Sequence, residues 1–174
     1  MENASDLKTS RWEILWGAQR SQRYNARRTA FYERWNKVTA FVGIVGGTSV
    51  FASLGQFFPV WVGSFGAAAI VVMSAMDLVA GTGEMARRHN DLRRRYCELE
   101  AKIAGTVAPS QEQIASWCAE RLTIESDEPP TYVALDILCE NELAHTKGHL
   151  AETPPHRLPW YVRMTAQLRH WENA

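Results

Sequence analysis

Hydrophobic and polar positions divide the chain into three regimes. Between Val38 and Met76 no Asp, Glu, Lys, Arg or His occurs. Each arm of that stretch is apolar on every side, the mark of a helix surrounded by protein or lipid rather than water. Gly55-Gln56-Phe57-Phe58-Pro59 interrupts it with turn-forming residues. The arm from Val38 to Phe58 would rise about 31 Å as a helix, roughly one hydrocarbon core, and the arm from Val60 to Ala80 matches it. The pattern predicts two spans joined by a tight turn.

The flanking regions are periodic instead. Upstream, a helical pattern starts near Ser10 with Trp12, Leu15 and Trp16. A basic run follows from Arg20 to Arg34, interleaved with Tyr24, Phe31, Tyr32 and Trp35. No proline interrupts residues 10–58, so one long helix can continue into the apolar stretch. Downstream, Gly81-Thr82-Gly83 predicts a bend. Then Met85, His89, Leu92, Tyr96, Leu99 and Ile103 alternate steps of four and three, a heptad seam that Leu78 extends backwards. The seam is short for a free coiled coil, so packing against the basic N-terminal helix is its expected use. His89 reads as a buried or rim histidine of that seam.

Beyond Gly105, Ser110-Gln111-Glu112-Gln113 matches a capping box. The helix it opens is expected to present Ile114, Trp117, Cys118 and Leu122 on one face and to end before Pro129-Pro130. Thr131 is expected to cap a further helix with Leu135, Leu138, Cys139 and Leu143 inward, and Gly148 to end it. After Pro154, Pro155 and Pro159, a last helix over about Trp160 to Trp171 carries Tyr161, Met164, Leu168 and Trp171, as a lid on the other helices or as a helix lying on a leaflet. The fold class expected is therefore an all-α membrane protein: a basic cytosolic helix over 1–37, a transmembrane helical hairpin over 38–81, a heptad-patterned cytosolic helix over 82–104, and a small acidic cytosolic helical region over 105–174.

Charge adds orientation. The formal net charge is +0, but it is unevenly spread. Arg20, Arg23, Arg27, Arg28, Arg34 and Lys37 precede the first arm, and Arg87, Arg88, Arg93, Arg94 and Arg95 follow the second. The link between the arms is uncharged. Because basic residues accumulate on the cytoplasmic side, both termini are expected in the cytosol. Arginines beside a span are expected to meet lipid phosphates, and the interleaved aromatics to mark the interface, rather than to bind nucleic acid. Cys97, Cys118 and Cys139 form no CxxC pair and read as free thiols.

Candidate chemistry is sparse. Thr39, Gly43, Gly46, Ser49, Ser53 and Gln56 recur at three- and four-residue steps and form one small, weakly polar helix face. Close packing is the plainer use of such a face, through Gly43 and Gly47 against Gly63 and Ala67; a pore lining is the functional one. Asp77 is the only acid at the edge of the apolar region, and folding the hairpin at its turn places Lys37 level with it, so the two are expected to pair at the inner rim. Glu125, Asp127 and Glu128 read as a solvated acidic loop. Cys139, His145 and His149 lie close in sequence but lack finger spacing and a fourth ligand, so no metal is expected. No phosphate-cradling loop, dinucleotide fingerprint or nucleophile with its base is present, and neither an enzyme nor a cofactor is expected.

The order of a basic helix, two apolar arms, and then Met85-Ala86-Arg87-Arg88-His89-Asn90 running to Ile103 resembles the SLATT family, two-span membrane effector domains of bacterial nucleotide-second-messenger conflict systems. The likeness runs from about residue 10 to residue 104. It implies an oligomeric inner-membrane effector that forms a pore or disrupts the bilayer, ending growth of an infected or stressed cell. It also implies a trigger from outside this chain: a nucleotide second messenger, a separate sensor protein or a phage component. The alternative is a non-conducting oligomeric scaffold that recruits a cytosolic partner through the later helices.

Overall fold

The computed structural model describes residues 2–47, 60–148 and 155–171, and only the backbone of residues 2–4, 46–47 and 60–67. Every regular element among them is a helix: α1 Glu2–Gly47, α2 Val60–Ala80, α3 Thr82–Gly105, α4 Gln111–Ser126, α5 Val133–Lys147 and α6 Trp160–Thr165. One helical run, Ala68–Gly105, is long and apolar enough to cross a membrane, its apolar part belonging to α2.

The boundaries follow local chemistry. Gly81 takes the left-handed conformation (φ +55°) between α2 and α3, a turn that a side chain would strain. Its N–H donates to Asp77 O at 3.0 Å, and its carbonyl accepts from Met85 N at 2.9 Å. This break ends the heptad phase. Leu78 is 85% exposed, so the seam does not extend back to it as its sequence spacing suggested. Ser110 caps α4 as expected: its hydroxyl accepts from Gln113 N at 3.2 Å, while Gln113 Oε1 accepts from Ser110 N at 2.9 Å. Gly148 ends α5 in the left-handed conformation. The start of α5 differs from expectation, because Tyr132 and not Thr131 is the cap residue and no side chain caps the turn.

The chain divides into two compact units, residues 1–28 with 89–174, and residues 29–88. In the first, the N-terminal part of α1 packs antiparallel on α3. Arg11 Nη2 reaches Ile103 O at 2.8 Å, Gln22 Nε2 reaches Tyr96 O at 3.1 Å, and Asn25 meets His89. The seam of α3 is therefore used: His89, Leu92, Tyr96, Leu99 and Ile103 are all buried. The matching stripe of α1 is Leu7, Ile14, Ala18 and Asn25, while Trp12 stays half out and stacks on Trp16 at 5.1 Å.

α4 closes this core with Ile114, Trp117 and Ile124. Leu122 faces out, contrary to the sequence reading, because the buried positions step by three and seven. Between them Arg121 lies across Gly17, where a Cβ would sit 3.1 Å from its guanidinium. A second cluster joins Tyr24 to Ala134, Leu135 and Cys139 of α5 and to Val162 and Ala166 at the C-terminus. Of the two uses expected of the last helix, a lid turning Tyr161, Met164 and Leu168 inward is not the one seen, although Trp171 packs partly inside. Val162 and Ala166 are inside, while Tyr161, Met164 and Leu168 are exposed. The helix also stops at Thr165 instead of reaching Trp171. Each fully buried large apolar side chain contributes about 1.5–3 kcal/mol relative to exposure.

Candidate functional site

Among the described residues, the unit of residues 29–88 presents exposed apolar side chains. Phe41 and Ile44 on α1, and Val71, Val72, Met76, Leu78 and Val79 on α2, are exposed, Val79 to 89%. Water makes so contiguous a set costly, and such patches mark surfaces that meet lipid or another chain.

The small, weakly polar face is only partly described. Thr39 is buried, and its hydroxyl donates to Trp35 O at 2.7 Å, so this side chain is engaged by its own helix. Gly43 has open space where a Cβ would lie. Gly46 and Gly47 end α1, Gly63 and Ala67 lie within α2 with surroundings outside the described residues, and Ser49, Ser53 and Gln56 lie outside them altogether. Asp77 has a partner other than the one the sequence suggested. Its carboxylate accepts the Thr82 hydroxyl, at the turn around Gly81. Among the described ion pairs Lys37 with Asp77 does not occur, and Lys37 is exposed. The physical reason is local: Thr82 lies five residues on, just past the break at Gly81, and the turn brings its hydroxyl back to the carboxylate.

The other unit holds a buried polar cluster. Asn25 is fully buried on α1. Its Nδ2 donates to Ser21 O at 3.0 Å and to Glu128 Oε1 at 2.9 Å. The Ser21 carbonyl only accepts, so the amide orientation is determined and Oδ1 faces His89 Nδ1 at 2.7 Å. Nδ1 therefore carries the proton. Tyr24 packs edge-on against the His89 ring, and its hydroxyl accepts from Tyr132 N at 3.0 Å. Arg28 lies over the Tyr132 ring at 4.4 Å and donates to Gln167 O at 2.8 Å.

Burial governs the protonation of this cluster. It pushes the Glu128 carboxyl above the ordinary range, with Asn25 and Tyr96 beside it opposing. Burial also raises the Tyr96 and Tyr24 phenols and the Asp136 carboxyl, the last opposed by Arg20. It pushes the Cys139 thiol up to about 12, so this cysteine is unreactive at neutral pH.

Glu128 is thus no solvated loop residue, in contrast to the sequence reading. Its neighbours are also engaged: Asp127 pairs with Arg95 at 2.6 Å and Glu125 with Arg121 at 3.2 Å. In the basic run, Arg20 pairs with Asp136 at 3.3 Å, and Arg23 and Arg27 pair with Glu142 at 3.3 Å and 2.6 Å. These arginines meet the acids of α5. Sequence reasoning missed Asn25, Glu128 and the stripe that carries Asn25. The available signal was a helical spacing through Leu7, Ile14, Ala18, Ser21 and Asn25, in steps of seven, four, three and four, hidden because its last members are polar.

Among the described residues no three His, Cys, Asp or Glu side chains gather as a metal set. Comparison of the chain with protein-family models, with curated proteins and with solved structures finds no match.

Proposed function

We propose that this chain is a membrane-inserted effector that assembles with copies of itself in the bacterial inner membrane and there opens a pore or disrupts the bilayer, as an anti-phage defence that ends growth of the cell. The carrying observation is the uncovered apolar surface of α2 and of the end of α1, with Leu78 and Val79 almost wholly exposed. A chain folding alone in water would bury these side chains. Support also comes from the charge-free stretch Val38–Met76 and from the resemblance carried by residues 10–104. In this reading the protein passes the membrane twice with both termini cytosolic, and a nucleotide second messenger or a separate sensor protein triggers it.

A single hairpin has too few helices to enclose a path, so assembly is part of the proposal. Among the described residues nothing lies within 4 Å of a Cβ at Gly43, which this reading offers to a second copy. The non-conducting scaffold is the second reading. It is favoured by Thr39, whose buried hydroxyl is bound to its own backbone instead of facing a path.

The test is ion flux from liposomes containing the purified chain. Flux that Ser49→Phe or Ser53→Phe abolishes, with insertion intact, supports the pore. Resistance to alkaline extraction without any flux leaves the scaffold. Release by alkaline extraction removes both.

A further inference from the structure

We infer that the C-terminal segment over residues 155–171 is a docking face for the anionic headgroups of the bilayer. This rests on the membrane reading above and gives the last helix a ligand. The segment contains Arg157, Arg163 and Arg169 and no Asp or Glu. Residues 105–148 of the same unit are acid-rich, and they do not neutralise it: none of the ion pairs among the described residues involves these three arginines.

Its apolar side chains are turned outward. Trp160 is 77% exposed and Met164 75%, with Tyr161 and Leu168 beside them. Trp160 and Met164 are spaced by four and share one side of the short helix, and Leu168 follows in the turn after it. The opposite side is anchored by Val162 and Ala166, by Arg28 on Gln167 O, and by a two-way link in which Asn141 Nδ2 donates to His156 O at 2.8 Å and His156 N donates to Asn141 Oδ1 at 2.9 Å. The exposed side is therefore held outward by packing and is not a frayed end.

Tryptophan and tyrosine at headgroup level, an apolar side chain inserted below them and arginines on phosphate together make an interfacial helix. Arg169 lies over the Trp171 ring at 4.6 Å, and among the described residues no ion pair takes up Arg157 or Arg163; an anionic leaflet supplies the complementary charge.

The experiment uses the full chain with Cys97→Ser, Cys118→Ser and Met164→Cys, labelled with bimane, in nanodiscs of phosphatidylcholine alone or mixed with phosphatidylglycerol. Lipid brominated near the headgroup serves as quencher, and helical content is checked by circular dichroism. A Val79→Cys label reports the membrane reading separately. The expected result is quenching at position 164 in the anionic discs. Adding Arg157→Gln and Arg163→Gln should lower the docked-to-undocked ratio by about 30-fold, on the basis of ~1 kcal/mol per arginine at an anionic surface. Quenching at position 79 but not at 164 overturns the docking and leaves the membrane reading. Absence of quenching at 79 overturns the membrane reading itself. A blue-shifted but unquenched label at 164 assigns the face to a second copy. Equal quenching in both lipids, insensitive to the arginines, overturns the anionic ligand.

Discussion

Asn25 Oδ1 lies 2.7 Å from His89 Nδ1, joining two buried side chains 64 residues apart in sequence. The same amide donates to Glu128 at 2.9 Å. One side chain on α1 thus ties the heptad helix to the turn between α4 and α5. A buried polar group is tolerated only when its hydrogen bonds are made, so a satisfied network also determines which helix faces may meet.

Removing the centre of this network is expected to cost more than any surface ion pair of the same unit. Asn25→Ala strands a histidine donor and a carboxylate acceptor, each costing about 1–3 kcal/mol when orphaned. Glu142→Ala breaks two ion pairs with arginines that are partly solvated, and is expected to cost about 1 kcal/mol or less. Thermal unfolding followed by tryptophan fluorescence checks the order. Equal losses for the two variants would show that the network is not buried in solution.

Glu128→Gln should test the raised carboxyl. In the folded protein this group holds its proton more tightly than the ordinary value of 4.5. Its favourable contribution is complete below 4.5 and is lost as pH rises through the folded value. Gln keeps an acceptor for Asn25 and carries no charge. The variant is therefore expected to unfold at or above the parent's temperature at pH 8, with the difference vanishing as pH falls towards 4.5. A deficit that persists across the range would mean that the ionised form is the one the fold requires.

Leu99 sits at the centre of the α1–α3 packing with no exposed surface. Leu99→Ala is expected to destabilise by about 2–5 kcal/mol through lost burial and the cavity left behind. Leu122→Ala, on the same unit but outward-facing, should change little. Denaturation midpoints of the two variants would settle whether the buried step runs through Ile124, as described, or through Leu122.

Thiol reactivity gives a chemical readout of burial. Cys97 is exposed, Cys118 intermediate and Cys139 buried. Maleimide at neutral pH is expected to modify Cys97 first and Cys118 more slowly. Cys139, its thiol pushed up to about 12, should react only after unfolding. Mass spectrometry of partially labelled protein reads the order. Early modification of Cys139 would contradict the packing of α5 against Tyr24.

The all-helical character, the break at Gly81, the capping box at Ser110 and the seam of α3 were legible in the linear order of residues. Each depends on chemistry within a few residues: a glycine free to take positive φ, a side chain reaching its own turn, an apolar repeat. Partner choice was not legible in this way. Asn25 reads as one polar residue in a basic run, and Glu128 as one acid in an acidic loop, until antiparallel packing of α1 on α3 brings both to His89. The arginines of α1 and the acids of α5 cancel one another only because the fold makes them neighbours. The last helix shows the same division. Its sequence marks it as amphipathic, but two inward sides were available, and Val162 and Ala166 took the interior beside Tyr24 and Cys139 while Trp160 and Met164 face out. Periodicity along a chain is local and survives in sequence. Which face meets which is decided by volume and by hydrogen-bond satisfaction between distant segments, and these exist only in three dimensions.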